Sequence, residues 1–265
     1  MNKPFKFVPR ENDLSKHRRW LEHFDARHSK AWERLLASDA EAAMCEANVR
    51  RLLSRKGCGV EPNTDKNPSG KSPDFKCRRD GNVFYVEATC LTISAATRAT
   101  NLDHLPETGG AQNYSLPTQA LWNDCRNKAP QCADLPHPTL VAIGTFHSQV
   151  TRICTLDHVV EDLVLGERLI AFDIDTTKGR AVGPSYGITK LKGSTVLKPG
   201  LGHPVDARRS VSGMLVVGFG LIPWHIKGTL HHDAVRPFDR NLLPTIRFCR
   251  LARKCAPNTL RVEWV

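Results

Sequence analysis

One nine-residue run, VFYVEATCL at residues 83–91, constrains this chain more than any other feature. Apolar side chains occupy both of its faces, the pattern of a strand covered by other layers above and below. Glu87 stands at the centre of the run. Period two places it on one face with Val83, Tyr85, Thr89 and Leu91. A buried carboxylate without a partner is costly, so Glu87 demands a proton, a cation or a basic side chain.

The preceding segment supplies a second acid. Residues 72–77 read as a strand containing Pro73-Asp74-Phe75, and the turn signal Asp80-Gly81 joins it to the next strand as an antiparallel pair. Adjacent strands let Asp74 and Glu87 meet. Two convergent carboxylates repel unless a proton or a cation intervenes, and hard oxygen ligands suit Mg²⁺ or Mn²⁺. Such an ion polarises a phosphodiester and lowers the pKa of an attacking water. Competing explanations are a turn cap for Asp74, which follows a proline, and a buried arginine partner for Glu87.

The rest of the chain frames this pair. Residues 1–13 read as a polar lead-in and 14–36 as one helical pattern. A second helix spans 39–56 and stops at Gly57, with Ala42, Val49 and Leu53 as its apolar stripe, Glu46 close beside it and Glu41 on the other flank. A short strand at 59–61 precedes the acidic pair. Residues 92–117 read as a long excursion. A helix over 118–133 carries Leu121, Cys125, Lys128 and Cys132 on one stripe. Buried strands follow at 139–146 and 211–222, with a helix over 156–165 capped by Thr155, a strand over 168–174, and a hairpin or arm over 179–202. Leu260, Val262 and Trp264 alternate as a last strand. This order predicts an α/β protein with a mixed central β-sheet flanked by helices. Its parts are an N-terminal helical lead-in (1–38), a core with insertions (39–222) and a C-terminal extension packed on that core (223–265).

Charge narrows the partners. Lys and Arg number 38 against 27 Asp and Glu, a net charge of +11. Such an excess favours polyanions, because neutralising phosphates releases condensed counterions. Arg50-Arg51, Arg78-Arg79 and Arg208-Arg209 are spread along the chain, which suits an extended groove better than a tail. A basic surface that serves only solubility is the competing explanation. Nine cysteines without a CxxC pair, and no apolar leader, indicate reduced thiols in the cytoplasm. Cys45, Cys90, Cys125 and Cys154 read as packing residues. No apolar run is long enough to cross a bilayer. His231-His232-Asp233 suggests a ligand cluster, but adjacent residues on a strand face opposite ways, which favours a loop or cap role.

At this point the chain resembles the PD-(D/E)xK phosphodiesterase superfamily, the fold of many restriction and repair nucleases. The residues that carry the resemblance are Pro73-Asp74, Glu87-Ala88-Thr89 and the upstream helical acid Glu46. SPDF, FYVEAT, NKAP and the later VSGMLVV with IPW are similar to an uncharacterised bacterial group of that superfamily. The resemblance implies a restriction-endonuclease-like core and a nuclease acting on nucleic acid, DNA first. It implies metal held by Asp74 and Glu87 with the Ala88 carbonyl as third ligand, and Glu46 assisting. One departure stands out. Thr89 occupies the position of the superfamily's catalytic lysine, and Thr carries no positive charge. The resemblance allows a lysine that has migrated to the next helix, and Lys128 on its apolar stripe is the candidate. Gln119 on the same helix is a weaker candidate contact. Arg50, Arg78 and Arg79 would follow the phosphate backbone. Two alternatives remain open: Lys128 snorkelling its stem along the surface, and Glu46 as a solvated helix residue. If nothing replaces the missing charge, the reading becomes a catalytically degenerate nucleic-acid-binding protein of the same fold.

Overall fold

The structure is a computed structural model that describes residues 7–105, 114–178, 180–201, 204–252 and 260–265. Its N-terminal layer is two helices rather than the single helix expected over 14–36. Helix α1 (Glu11–Leu21) and helix α2 (Ala26–Ser38) are separated because the Asp25 side chain accepts a hydrogen bond from Arg27 N at 2.9 Å, a cap that starts a new helix. Helix α3 (Ala40–Arg55) follows, capped by Asp39 through Ala42 N and closed at Gly57, which has φ +84°. Leu14, Leu21 and Trp32 of the first two helices pack on Ala43, Met44 and Ala47 of the third.

Eight strands form one mixed sheet in the order β1-β2-β3-β4-β9-β10-β11-β12. Strands β1 (Gly59–Pro62), β2 (Phe75–Arg79) and β3 (Asn82–Cys90) are antiparallel neighbours. β3 pairs in parallel with β4 (Thr139–Thr145), and β4 in parallel with β9 (Gly213–Gly218). The segment beyond residue 222 continues the same sheet through β10 (His225–Leu230), β11 (Phe248–Leu251) and β12 (Val262–Trp264). Two small ladders lie apart from it: β5 (Glu167–Asp175) with β6 (Arg180–Lys190), and β7 (Leu197–Pro199) with β8 (Pro204–Asp206). The expected hairpin region thus begins earlier than 179, because β6 pairs back onto β5.

Both faces of the central strands are covered, as the apolar pattern of residues 83–91 requires. Val86, Ala88, Leu140, Ala142, Leu215 and Val217 face α3. Val141, Ile143, Met214 and Val216 face helix α5 (Thr118–Lys128) and helix α7 (Asp157–Leu165). The excursion expected over 92–117 contains a helix, α4 (Ile93–Thr100), capped by Thr92. Short helix α6 (Val150–Ile153) precedes α7, and Thr155 does not cap α7: its hydroxyl bonds back to the Thr151 and Arg152 carbonyls. No helix among the described residues is long and apolar enough to cross a membrane.

Gly144 in β4 sets how closely α3 approaches the sheet. A Cβ there would stand 2.6 Å from Cys45 Sγ and would run into the Phe219 ring. Gly144→Ala is therefore expected to lower stability by about 1–3 kcal/mol, the usual cost of overpacking, measured by urea denaturation. An unchanged midpoint would show that α3 is not seated by this contact. His17 gives a second test. It is fully buried between Trp20 and Trp32, and neither ring nitrogen has a partner. Burial, with Arg50 nearby, lowers its pKa to about 3. The unfolded chain then binds a proton that the folded chain does not, so stability falls as pH drops from the ordinary histidine value toward 3. His17→Phe is expected to flatten that acid limb; the same pH dependence in the variant would contradict the assignment.

Candidate metal and phosphodiester site

The site begins where the β2–β3 ladder ends. Its last register pair is Phe75↔Val86, so one step further sets Asp74 opposite Glu87. Buried Pro73 cannot donate to a ladder, and the pairing stops there. Asp74 takes over with its side chain: Oδ2 accepts from Ala88 N at 2.8 Å. Its own carbonyl accepts from Asn63 N at 2.9 Å. Asp74 is thus held from both sides.

Backbone directions in β3 follow from its pairing. Tyr85 N donates to the Pro138 carbonyl and Leu91 N to the Gly144 carbonyl, so the odd residues bond toward β4. Ala88 N points the other way, to Asp74. The N–H and C=O of one strand residue face the same side, so the Ala88 carbonyl also faces the side where β2 has ended.

Glu87 is 2% exposed. Lys128, the last residue of α5, donates from Nζ to Glu87 Oε1 at 2.6 Å. The helix expected over 118–133 ends at this lysine because Pro130 forces a 3-10 turn over Ala129–Cys132. Gln131 in that turn faces the same carboxylate, and with its amide nitrogen on that side it donates to both oxygens, at 3.1 Å to Oε2. Glu46 arrives from α3, on the opposite face of the sheet. It forms no hydrogen bond or ion pair with the other described residues. With Asp74 it lines a cavity of about 450 Å³ whose walls include Trp20, Arg27, His28 and Lys66.

The electrostatics show three acids in one field. Burial pushes Glu46 well above the carboxylate range, and Asp74 and Glu87 push it further. Burial raises Asp74 against the pull of the Ala88 N–H, Lys128 and a hydrogen bond to the Glu87 carboxyl. Burial and then Asp74 raise Glu87 to about 8, against Lys128. Desolvation works against the charge on Lys128, yet Glu87, Asp74 and Asp124 together raise its pKa. Unit charges ~4 Å apart repel by about 4 kcal/mol at an effective dielectric near 20. One lysine therefore cannot neutralise three ionised carboxylates. The cluster must hold protons or a further cation.

Other sequence candidates sit elsewhere. Gln119 is exposed and, among the described residues, bonds Asn123 alone, at 3.5 Å. Arg79 ties the Lys56 and Leu242 carbonyls together, Arg78 pairs with Glu61 at 3.1 Å, and Arg50 stacks on Trp20 at 5.0 Å. Arg50 and Arg79 are committed to packing rather than offered to a phosphate chain. His231 bonds the Ala207 carbonyl and His232 the Asp206 carboxylate, both connecting roles. Cys45, Cys125 and Cys154 are buried, and Cys45 donates to the Thr89 carbonyl at 3.0 Å. Two residues were not anticipated: Gln131, and Asp124, one helical turn before Lys128. Asp124 Oδ2 is buried without a hydrogen-bond partner among the described residues, and burial raises its pKa to about 6.

Among the described residues, no three or more His, Cys, Asp or Glu side chains are already grouped as a metal cage. No protein-family model, curated protein or solved structure matches the chain.

A raised carboxyl pKa makes the folded chain less stable in base. Glu87 in the folded chain titrates near 8 against an ordinary 4.5, so its contribution is present below 4.5 and lost as pH rises through 8. Asp74→Asn keeps an acceptor for Ala88 N and removes one source of that shift. In chelator it is expected to melt a few degrees higher than wild type at pH 8, with the gap closing at pH 5. Equal melting temperatures at pH 8 would mean that the two acids do not repel.

Proposed function

We propose that this chain is a metal-dependent nuclease of the restriction-endonuclease-like, PD-(D/E)xK type that hydrolyses DNA phosphodiester bonds in restriction, repair or defence. The observation that carries the reading is the meeting of Asp74 and Glu87 at the end of β2, with Lys128 Nζ 2.6 Å from Glu87. Asp74, Glu87 and the Ala88 carbonyl would hold Mg²⁺ or Mn²⁺, with Glu46 assisting from α3. When bound, the ion supplies charge neutralisation at the phosphate and acidifies a coordinated water. Lys128 does the work that a lysine at Thr89 would do: its ammonium, fixed by Glu87 and set against Asp124, orients a water or faces the phosphate. Gln131 holds the Glu87 carboxylate in place. Free thiols throughout the described cysteines agree with a reducing, cytoplasmic setting.

A second reading has its own support. Thr89 at the lysine position and the absence of a preformed cage among the described residues favour a binder that has lost the chemistry. Cleavage decides between them. Supercoiled plasmid and single-stranded DNA should be cut with Mg²⁺ or Mn²⁺ and spared in chelator. Asp74→Ala, Glu87→Ala and Lys128→Ala should each reduce the rate by about a hundredfold or more. Cleavage that survives both acid substitutions rejects the site. Salt-dependent DNA binding without cleavage in wild type selects the binder.

A further inference from the structure

A larger cavity, about 890 Å³, lies on the other side of α3 from Glu46. The geometry points to a second ligand site there, one that takes a nucleotide: a planar base carrying phosphate. Helix α3 alternates between the two cavities. Glu46 lines the smaller one, while Met44, Asn48, Arg51, Leu52 and Arg55 line the larger. The two sites thus share a helix and no lining residue on it.

Three features define the ligand. First, the inner wall is aromatic, with Phe7, Phe146, Phe219 and Trp224 around it. Flat rings bury best against flat rings, and base–aromatic stacking tolerates any base. Second, among the described residues the lining carries Arg10, Arg51, Arg55 and Lys56 against one acid, Asp13, which pairs with Arg51 at 2.6 Å, while Lys56 donates to Thr245 Oγ1. The excess of cations selects an anion. Arg51 and Arg55 both stand over the Trp224 ring, at 5.4 and 5.6 Å, so the positive charge borders the aromatic wall. Third, Asn48 and Ser148 line the cavity with polar atoms left over. Asn48 is 5% exposed, and neither its Oδ1 nor Ser148 Oγ has a hydrogen-bond partner among the described residues. A buried carboxamide oxygen is kept at a cost unless something pairs with it. A base edge offers the complementary donors and acceptors.

A free nucleotide and the terminal nucleotide of a strand present the same chemistry, and the test separates them. The full chain in chelator is titrated calorimetrically with the four nucleoside monophosphates, with ATP, with inorganic pyrophosphate and with a 5′-phosphorylated five-nucleotide DNA. Saturable binding of a nucleoside mono- or triphosphate assigns a free ligand; binding of the oligonucleotide alone assigns a strand end. Asn48→Leu and Arg55→Ala should each weaken either by about tenfold. Asp74→Asn should leave it unchanged, so this site can stand even if the nuclease reading fails. Pyrophosphate binding as tight as the nucleotides, no binding of any probe, or affinity indifferent to both variants would overturn the proposal. Arg55 is exposed on α3, so its truncation remains informative should Asn48→Leu fail to fold.

Discussion

The end of the β2–β3 ladder is the constraint on which the rest of the site depends. Had the ladder run two residues further, Ala88 would bond to the β2 strand at Pro73 and Asp74 would be an ordinary residue of a strand flanked by β1 and β3. Pro73 stops it, and the Asp74 carboxylate takes the Ala88 N–H instead. That substitution leaves a break in the pairing of β2 with β3. Through it, Glu87 on the α5 face and Glu46 on the α3 face come into one electrostatic field. The acids are therefore gathered by a fault in the ladder, where Ala88 N holds Asp74 and Lys128 holds Glu87.

Placement of positive charge follows from the same geometry. A lysine two residues beyond Glu87 would sit on the same strand face; Thr89 leaves that place uncharged. Lys128 reaches the face from the layer above, at the point where α5 must end because Pro130 follows. Its Nζ meets Glu87 at 2.6 Å. A charge carried on a helix terminus can serve the same carboxylate as one carried on the strand.

Much of this was legible in the chain. An acid inside an apolar strand, a proline–aspartate pair one hairpin earlier, and a lysine on an apolar helical stripe each broke a local rule, and all three meet in space. Residues 83–91 revealed a covered central strand because their apolar pattern is continuous. Other features gave weaker signals. The charged and aromatic pattern of 14–36 continues across the break that Asp25 makes by capping α2. Strands β10 to β12 are three to six residues long, and β10 pairs with β11 in parallel across a long connection, so local pattern says little about them. Gln131 was hidden by an expected helix that ran past Pro130. Asp124 looked like any polar helix residue, because its burial depends on α5 packing that no local signal encodes.

The account rests on Asp74 and Glu87 sharing one cation, and direct binding tests it without any assumption about substrate. Mn²⁺ titrated into the chelator-treated chain and followed by electron paramagnetic resonance should fill one site per chain. That site should be lost in Asp74→Ala and in Glu87→Ala, and kept in Gln119→Ala. Mn²⁺ binding of equal strength in all of these, or none in the wild-type chain at millimolar ion, would contradict it.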